Sequence, residues 1–317
     1  MRRLSGLRGG SGVRILVTGG AGFIGSAVAE AYVRAGHEVA VVDNLSTGRR
    51  QWVPAGAAFY RLDILDPRLD DVFSTHRFDV INHHAAQVSV ARSVADPVAD
   101  ARTNILGSLA LLGLALRWGV RRFIFASSCA VYGEAELRPT PESAPPKPLS
   151  PYGLAKRVVE DYLGLYGRLA GLEWVALRYG NVYGPRAKAH TEAGVVTIFA
   201  AAFLRGERPT VFGDGRQTRD FVYVDDVVAA NLLALGRGEG VINVGTGRET
   251  SILELYRTLA GLAGFEAPPA FGPARPGEVR FSCLDPARAR QMLGWQAQVD
   301  LPSGLARVVE SLRKGGG

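Results

Sequence analysis

The sequence predicts an α/β protein in which a doubly wound parallel sheet is followed by a smaller C-terminal α/β lobe. Short strands alternate with helices from residue 13 to residue 178, and the strands are apolar along their whole length. Strands of this kind are typical of a parallel sheet that is covered by helices on both faces. After residue 181 the pattern loosens and Gly, Pro and Arg become frequent, which favours a second, smaller lobe.

The individual elements follow from local signals. The first strand, residues 13–17, runs into a glycine-rich turn, and the following helix, residues 23–35, ends at Gly36. The second strand, residues 39–42, stops at Asp43. Further elements are predicted by apolar runs, and they cover residues 59–62, 80–82, 123–126, 174–178, 221–235 and 241–244.

These elements divide the chain into three parts. Residues 1–12 are rich in Arg and Gly and are predicted to be a disordered extension. Residues 13–180 are predicted to form a cofactor-binding domain that also receives residues 221–245, and the remainder of 181–317 is predicted to form a substrate-binding lobe. Because ligands of doubly wound sheets bind outside the carboxyl ends of the strands, the cleft between the two parts is the predicted site.

Composition excludes several classes of protein. The net charge of +7 is spread along the 317 residues, without the dense basic and aromatic run that a nucleic-acid-binding surface needs. No apolar run reaches the ~20 residues that a membrane span requires. Only two cysteines are present, Cys129 and Cys283, which predicts a reduced cytoplasmic protein without a disulfide framework.

The turn after the first strand fits the dinucleotide-binding pattern G-x-G-x-x-G at Gly20, Gly22 and Gly25. A strand precedes it, a helix follows, and Asp43 stands about 20 residues on, which is the Rossmann context that the motif requires. A pyrophosphate would lie at the helix N-terminus, and Asp43 would accept hydrogen bonds from ribose hydroxyls. The carboxylate favours NAD over NADP, although Arg49 and Arg50 lie close by.

Two later strand ends are also candidates for cofactor contacts. Asp63 either reaches the adenine or caps the next helix. Residues 82–87 contain small side chains that allow close approach of the cofactor. The adjacent His83 and His84 do not predict a metal site, because neighbouring side chains diverge and no third ligand stands at a usual spacing.

Tyr152 and Lys156 are the strongest sign of catalysis. Four residues apart, they share one face of a helix that Ser150 can cap and Pro151 can begin. A phenol has a pKa of about 10, and a neighbouring cation favours the phenolate, which makes it a useful general base. With a dinucleotide turn upstream, the pair indicates removal of a proton from an alcohol while a nicotinamide accepts the hydride. A Ser–His–acid hydrolase is a poor fit, because Ser128 lacks the surrounding glycines of a nucleophile elbow.

The chain resembles the extended short-chain dehydrogenase/reductases, most closely the nucleotide-sugar branch typified by UDP-glucose 4-epimerase. The resemblance lies in the glycine turn, the motif around Ser127 and Ser128, and the Tyr152–Lys156 pair. Further matches lie at residues 177–185, 212–215, 219–226, 243–247 and 275–278. The resemblance implies that Tyr152 is the base on the sugar 4-hydroxyl, that Lys156 holds the nicotinamide ribose, and that Ser128 bonds the same sugar oxygen.

The resemblance also implies the remaining contacts. Besides Tyr152 and Lys156, the implied NAD-binding residues are Gly19, Gly22, Phe23, Ile24, Gly25, Asp43, Asn44, Asp63, Ile64, Ala85, Ala86, Asn104 and Tyr179. The implied UDP-sugar contacts, besides Ser128 and Tyr152, are Asn181, Val195, Val196, Phe212, Arg219, Arg275, Glu278 and Ser282. Arg219 and Arg275 would clamp the diphosphate, which suits the bidentate preference of guanidinium groups.

The predicted reaction is NAD-dependent 4-epimerisation of a UDP-hexose through a transient 4-keto sugar. Ser282 is small where the family gates the space beside C2, so UDP-glucose and its N-acetylated counterpart are both expected to bind. The residues after Ser127, Ser128-Cys129-Ala130, carry no carboxyl group, which disfavours a dehydratase. Epimerisation or decarboxylation of UDP-glucuronate and a non-catalytic NAD sensor remain as alternatives. The family also implies a homodimer formed by the helix at residues 97–118 and the helix after Pro151.

Overall fold

The computed structural model describes residues 12–187, 194–274 and 279–315. The predicted extension therefore lies outside the described residues, apart from Gly12. The helices are α1 Phe23–Arg34, α2 Leu69–His76, α3 Val90–Ala95, α4 Pro97–Ala101, α5 Gly107–Arg117, α6 Pro151–Ala170, α7 Gly194–Leu204, α8 Val224–Ala234, α9 Ile252–Ala263, α10 Ala287–Leu293 and α11 Leu301–Arg313. The strands are β1 Arg14–Thr18, β2 Glu38–Val42, β3 Ala57–Tyr60, β4 Val80–His83, β5 Arg122–Ser128, β6 Glu173–Tyr179, β7 Asn181–Tyr183, β8 Thr210–Phe212, β9 Thr218–Arg219, β10 Phe221–Tyr223, β11 Gly240–Val244, β12 Thr250–Ser251 and β13 Ala270–Gly272.

A seven-stranded parallel sheet forms the centre of the molecule, in the order β11-β6-β5-β4-β1-β2-β3. Its strand order reverses between β1 and β4, and this reversal opens a crevice at the carboxyl ends of the strands. The predicted fold class, a doubly wound parallel sheet, is thereby confirmed.

The apolar strands bury alternate residues against helices on opposite faces. Ile15 and Val17 belong to the core that includes α1 and α8 residues, whereas Leu16 packs with residues of α2, α5 and α6. This period of two, with both faces covered, explains why the strands are apolar throughout.

Three predicted elements differ in detail. The third strand lies two residues earlier than predicted, because β2 pairs Val39 with Ala57 and Val42 with Tyr60. The predicted element at residues 221–235 is a short strand, β10, that pairs with β7 and continues into α8. The predicted helix at residues 97–118 is interrupted by a π-helical stretch, Arg102–Leu106, between α4 and α5.

Chain segments after residue 181 contribute to the main sheet through β11 and also form smaller structures. These are three two-stranded sheets, β10-β7, β12-β9 and β13-β8. Their loops meet the loop that follows β5, since Thr140 donates a backbone hydrogen bond to Cys283 (2.8 Å). The C-terminal part of the chain thus lies over the carboxyl end of β5.

Candidate active site

The glycine turn after β1 forms the floor of the crevice. Gly19 has a φ of +69°, and a Cβ atom there would lie 2.6 Å from the backbone nitrogen of Ala85. Only glycine fits a left-handed conformation this close to another backbone. The turn therefore brings the ends of β1 and β4 together at the point where the strand order reverses.

Helix α1 begins directly after this turn and points its N-terminus into the crevice. Gly22 is the N-cap residue, and no side chain caps the helix. Phe23, Ile24 and Gly25 form its first turn, so the backbone N–H groups of an uncapped helix start face the place where a pyrophosphate would bind. This arrangement fits the phosphates of a dinucleotide.

Asp43 stands at the end of β2 and is held by the turn itself. Its carboxylate accepts hydrogen bonds from the N–H groups of Ala21 (3.0 Å) and Leu45 (2.8 Å), and only 8% of the residue is exposed. The guanidinium groups of Arg49 and Arg50 lie over the rings of Trp52 and Phe59. The carboxylate is thus held at the carboxyl end of β2, where the sequence predicts a ribose contact.

Asn44, Asp63 and Ile64 meet at the neighbouring strand ends. The Asn44 side chain donates to the Asp63 carboxylate (2.8 Å), which also accepts a hydrogen bond from the N–H of Leu65 (2.9 Å). Asp63 thus caps this turn and not the next helix, because Arg68 is the N-cap residue of α2 and no side chain caps that helix. The helix-capping role predicted for Asp63 is therefore wrong, and its adenine contact stays a prediction.

A buried hydrogen-bond chain, which the sequence did not reveal, joins the cofactor turn to the π-helical stretch. Ser108 donates to the carbonyl of Asn104 (2.6 Å), so it accepts from Nε2 of His83 (2.9 Å). Nδ1 of His83 then accepts from the hydroxyl of Thr18 (2.7 Å). Burial lowers the pKa of His83 well below its ordinary value, so the imidazole stays neutral. His83 is a structural link and is not available as a metal ligand.

Asn104 occupies the π-helical stretch, a feature that is frequent at functional sites. Its side chain donates to the Gln87 carbonyl (2.9 Å) and to Asp100 (2.9 Å), and it accepts from the Gln87 N–H (3.0 Å). These bonds fix the segment that contains Ala85 and Ala86. The predicted supporting role of Asn104 has a clear geometric basis here.

His84 and Tyr179 form one wall of the crevice, and the backbone of His84 lies against the glycine turn. Their rings are stacked at 6.2 Å, and the Tyr179 hydroxyl lies 3.3 Å from Nε2 of His84 while it accepts from Asn231 (2.8 Å). Burial raises the pKa of Tyr179 and lowers that of His84 to about 3, so both stay neutral. Nδ1 of His84 is buried and has no hydrogen-bond partner within the described residues, which fits a polar group of a bound cofactor.

Helix α6 presents Tyr152 and Lys156. Ser150 accepts from the N–H of Gly153 (3.1 Å), and Pro151 occupies the first turn, as predicted. A Cβ atom on Gly153 would lie 2.5 Å from the carbonyl oxygen of Ala130, so the glycine allows the helix to touch the turn that follows Ser128. Gly153 was not singled out from the sequence, because its requirement arises only from this long-range contact.

Lys156 is buried beneath the site. Its ammonium donates to the carbonyl of Ala126 (2.9 Å) and lies 4.7 Å from the ring centre of Phe125 and 5.7 Å from that of Tyr152. Burial lowers the pKa of Lys156 to about 8, while the charges of Asp100 and Glu160 act in the opposite direction. The cation is thus placed to stabilise a phenolate on Tyr152.

Ser128 ends β5 at the same place. Its hydroxyl oxygen accepts from the N–H of Ala130 (3.1 Å) and caps the short turn over Cys129–Val131. The hydroxyl proton remains able to bond a substrate oxygen. Both cysteines are thiols, and Cys129 follows Ser128 directly, where the chain carries no carboxyl group.

The predicted substrate contacts are only partly described. Arg275 and Glu278 lie outside the described residues. Arg219 and Ser282 are brought together, because Ser282 donates a backbone hydrogen bond to Thr218 (3.2 Å) and Arg219 donates to the Thr218 carbonyl (2.8 Å). Asn181 donates its N–H to the Asp220 carbonyl (2.7 Å), so it lies next to Arg219 in space.

Val195, Val196 and Phe212 are the predicted contacts that lie further along the chain. Val195 packs partly against the core, and Phe212 ends β8 with its carbonyl accepting from Gln217 (2.7 Å). Val196 is 1% exposed within the hydrophobic core, so the structure offers a ligand almost none of its surface and does not support the predicted contact.

The described residues contain neither a metal-binding cluster nor a membrane-spanning helix. No group of three or more His, Cys, Asp or Glu side chains within these residues could hold a metal ion. In the same part of the chain, no helix is long and apolar enough to span a membrane.

Comparison with known proteins agrees with this geometry. A curated relative from Methanocaldococcus jannaschii, named as a putative UDP-glucose 4-epimerase, is 44% identical over 94% of this chain and 98% of its own. The UDP-glucose 4-epimerase of Thermotoga maritima, solved with UDP-glucose, is 48% identical with a TM-score of 0.94, covering 96% of this chain and 99% of its own. The Thermus thermophilus enzyme, solved with NAD, is 44% identical with a TM-score of 0.91, covering 95% and 99%.

The predicted resemblance, the enzyme class and the cofactor are thereby confirmed. The model of the "NAD dependent epimerase/dehydratase family" matches residues 15–245, which span the glycine turn, Ser128, Tyr152 and β11. The chain belongs to the NAD-dependent epimerase/dehydratase family.

Proposed function

We propose that this chain interconverts the C4 epimers of a UDP-hexose, UDP-glucose and UDP-galactose, with NAD bound in the crevice. The central observation is that the Tyr152–Lys156 face of α6 meets the end of β5, which β4 separates from β1 and from the glycine turn that fits a dinucleotide. The relatives named UDP-glucose 4-epimerase support this reaction over a one-way oxidation.

In the proposed mechanism, Tyr152 removes the proton from the sugar 4-hydroxyl and later returns a proton to the same oxygen, after the sugar has turned to present the opposite face of C4. Ser128 bonds the same oxygen, and the Lys156 cation stabilises the phenolate between the two steps. Bound NAD supplies reversible hydride acceptance at C4, and the residues that would hold it are Gly19, Asp43, Asn44, Asp63 and Lys156. Arg219 and Asn181 hold the diphosphate while the 4-keto sugar turns.

The choice of sugar rests on one small residue, Ser282. Ser282 leaves space beside C2, so we propose that N-acetylated UDP-hexoses also bind. A structure of a UDP-N-acetylglucosamine 4-epimerase from Methanobrevibacter ruminantium is 32% identical, with a TM-score of 0.91. A relative from Xenopus tropicalis named UDP-glucuronic acid decarboxylase 1 is 35% identical, so decarboxylation or epimerisation of UDP-glucuronate is the second candidate.

A panel of UDP-sugars with products resolved by chromatography tests these assignments. We expect the purified protein to interconvert UDP-glucose and UDP-galactose without added cofactor, and to act on the N-acetylated pair. Release of CO₂ from UDP-glucuronate without hexose epimerisation would instead establish the second candidate. Turnover of UDP-galactose with none of UDP-N-acetylgalactosamine would contradict the dual-substrate proposal.

We also propose a homodimer formed by the helices around α4 and α6. Six large apolar residues on these helices are exposed. Val98 is 78% exposed and Leu169 is 72% exposed, and the other four are Val94, Leu106, Leu154 and Leu165. Contiguous exposed apolar side chains of this size typically mark an interaction site. Light scattering should give twice the chain mass, and Val98→Glu should give the monomer. A monomeric wild type would contradict this proposal.

Two further assignments accompany the function. We propose that residues 13–180 with 221–245 bind the cofactor while the rest of 181–317 binds the sugar nucleotide. We also propose a cytoplasmic location, which suits two thiols and a nucleotide-sugar substrate. Cell fractionation with an antibody against the chain would test the location.

A further inference from the structure

Helix α6 contains a buried carboxylate that the proposed mechanism does not use. Glu160 is 2% exposed, four residues after Lys156 and eight after Tyr152, so all three lie on one face of the helix. A buried carboxylate costs free energy unless it is fully paired. Its partners therefore indicate what the residue does.

Two strands supply those partners. The hydroxyl of Ser127 donates to Oε1 of Glu160 (2.7 Å), and Arg178 donates from Nε to Oε1 (2.8 Å) and from Nη2 to Oε2 (2.6 Å). Arg178 is itself only 1% exposed, so the pair forms a bidentate buried ion pair. Arg157 approaches from the surface side, at 3.5 Å from Oε2.

The two partners are neighbours in the sheet. Ser127 on β5 and Arg178 on β6 face each other in the strand register, and the next pair along is Ser128 and Tyr179. The Glu160 carboxylate thus joins α6 to both strands. Its partners each stand one residue before a residue of the proposed site, Ser128 on β5 and Tyr179 on β6.

The same ion pair supports the turn on the other side of Ser128. The Arg178 guanidinium lies 4.6 Å from the ring centre of Tyr132, whose hydroxyl donates to Asn243 on β11 (2.8 Å). Ser128 therefore lies in the chain between Ser127, which bonds Glu160 directly, and Tyr132, which contacts Arg178, the ion-pair partner of Glu160.

The presence of this buried ion pair is poorly explained by its contribution to folding stability, since apolar replacements of such a pair are often neutral or stabilising. We propose that Glu160 is a positioning residue, which holds Tyr152 and Lys156 at their working distance from Ser128 through Ser127 and Arg178. This inference rests on the proposed catalytic roles of those three residues.

The variant Glu160→Gln is a poor test because it leaves the buried Arg178 without its counter-charge. Ser127→Ala removes only the tie to β5 and keeps the ion pair. We expect kcat for UDP-galactose to fall about tenfold, or about 1.4 kcal/mol of barrier, with KM and NAD content within about twofold. Ser127→Thr, which keeps the hydroxyl, should restore most of kcat.

A second variant removes both charges together. Glu160→Leu combined with Arg178→Met leaves no unpaired buried charge and should remain folded. We expect its kcat to fall by at least as much as that of Ser127→Ala while thermal unfolding changes little.

Ser93→Ala is the matched control, because Ser93 is also fully buried and donates to a backbone carbonyl, that of Val90 (2.7 Å). Its kcat should be unchanged. A wild-type kcat in Ser127→Ala, an equal loss in Ser93→Ala, or a loss that Ser127→Thr does not restore would overturn the inference. Tyr152→Phe belongs in the same assay: normal turnover there would refute the proposed catalytic site itself.

Discussion

Replacing Gly153 by Ala should separate Tyr152 from Ser128 without removing a functional group. The new Cβ would lie 2.5 Å from the Ala130 carbonyl oxygen and 3.1 Å from the Pro148 Cβ atom. Ordinary contact begins at 3.4 Å, so α6 and the turn after Ser128 must move apart by roughly 0.9 Å, the difference between 3.4 and 2.5 Å. The obstacle is a backbone atom, which cannot rotate away as a side chain would.

The displacement acts on the reacting groups, because Gly153 follows Tyr152 and Ala130 lies two residues after Ser128. A misplacement of about 1 Å can reduce turnover about 100-fold. Alanine is the better helix former by about 1 kcal/mol, so the helix itself does not lose stability through propensity. We therefore expect kcat to fall about 100-fold while the protein stays folded with NAD bound.

Initial rates with UDP-galactose, together with NAD content and thermal unfolding, measure this. Gly164→Ala is a matched control on the same helix, because its Cβ would meet a Trp174 ring atom at 3.6 Å and the Arg168 guanidinium at 3.8 Å, both at ordinary contact distances. The control should keep wild-type kcat and should not lose stability. A kcat for Gly153→Ala within about threefold of the control would refute the reasoning, since the expected loss is about 100-fold.

Three further predictions concern single groups at the site. Tyr152→Phe should abolish turnover while NAD stays bound, and robust activity would show that another group is the base. The kcat of the wild type should decline as pH rises through about 8, because Lys156 then loses the proton whose charge stabilises the Tyr152 phenolate; a flat profile to pH 10 would contradict this role. Asp43→Asn should weaken NAD binding about tenfold and improve NADP binding, since the charge that repels a 2′-phosphate is gone. Titration of both cofactors checks that prediction, and an unchanged preference would argue against the assignment of Asp43.

The parallel sheet could be predicted because its strands are largely apolar on both faces and because α1 and α6 carry clear signals, Gly36 after α1 and Ser150 with Pro151 at the start of α6. The residues at which the strands begin and end could be predicted less exactly than the strands themselves. The third strand is two residues early, since its limits depend on pairing with Val39–Val42. The π-helical stretch at Arg102–Leu106 has no local signal either, as it contains neither a Gly nor a Pro to interrupt the predicted helix.

The same distinction applies to the site. Tyr152, Lys156 and the glycine turn have fixed spacings in sequence, so they could be found there. Glu160, His83 and Gly153 depend on partners that come from other elements, such as Arg178, Thr18 or the Ala130 carbonyl. Their identity as buried, paired residues becomes visible only when the sheet brings those elements together.

The central claim is that one base and one cofactor act on both faces of a single carbon. UDP-galactose labelled with deuterium at C4 tests it most directly, with the product followed by nuclear magnetic resonance. We predict UDP-glucose that retains the deuterium at C4, because the hydride that leaves this carbon returns to it within the closed site. Loss of the label to water during turnover would contradict the account.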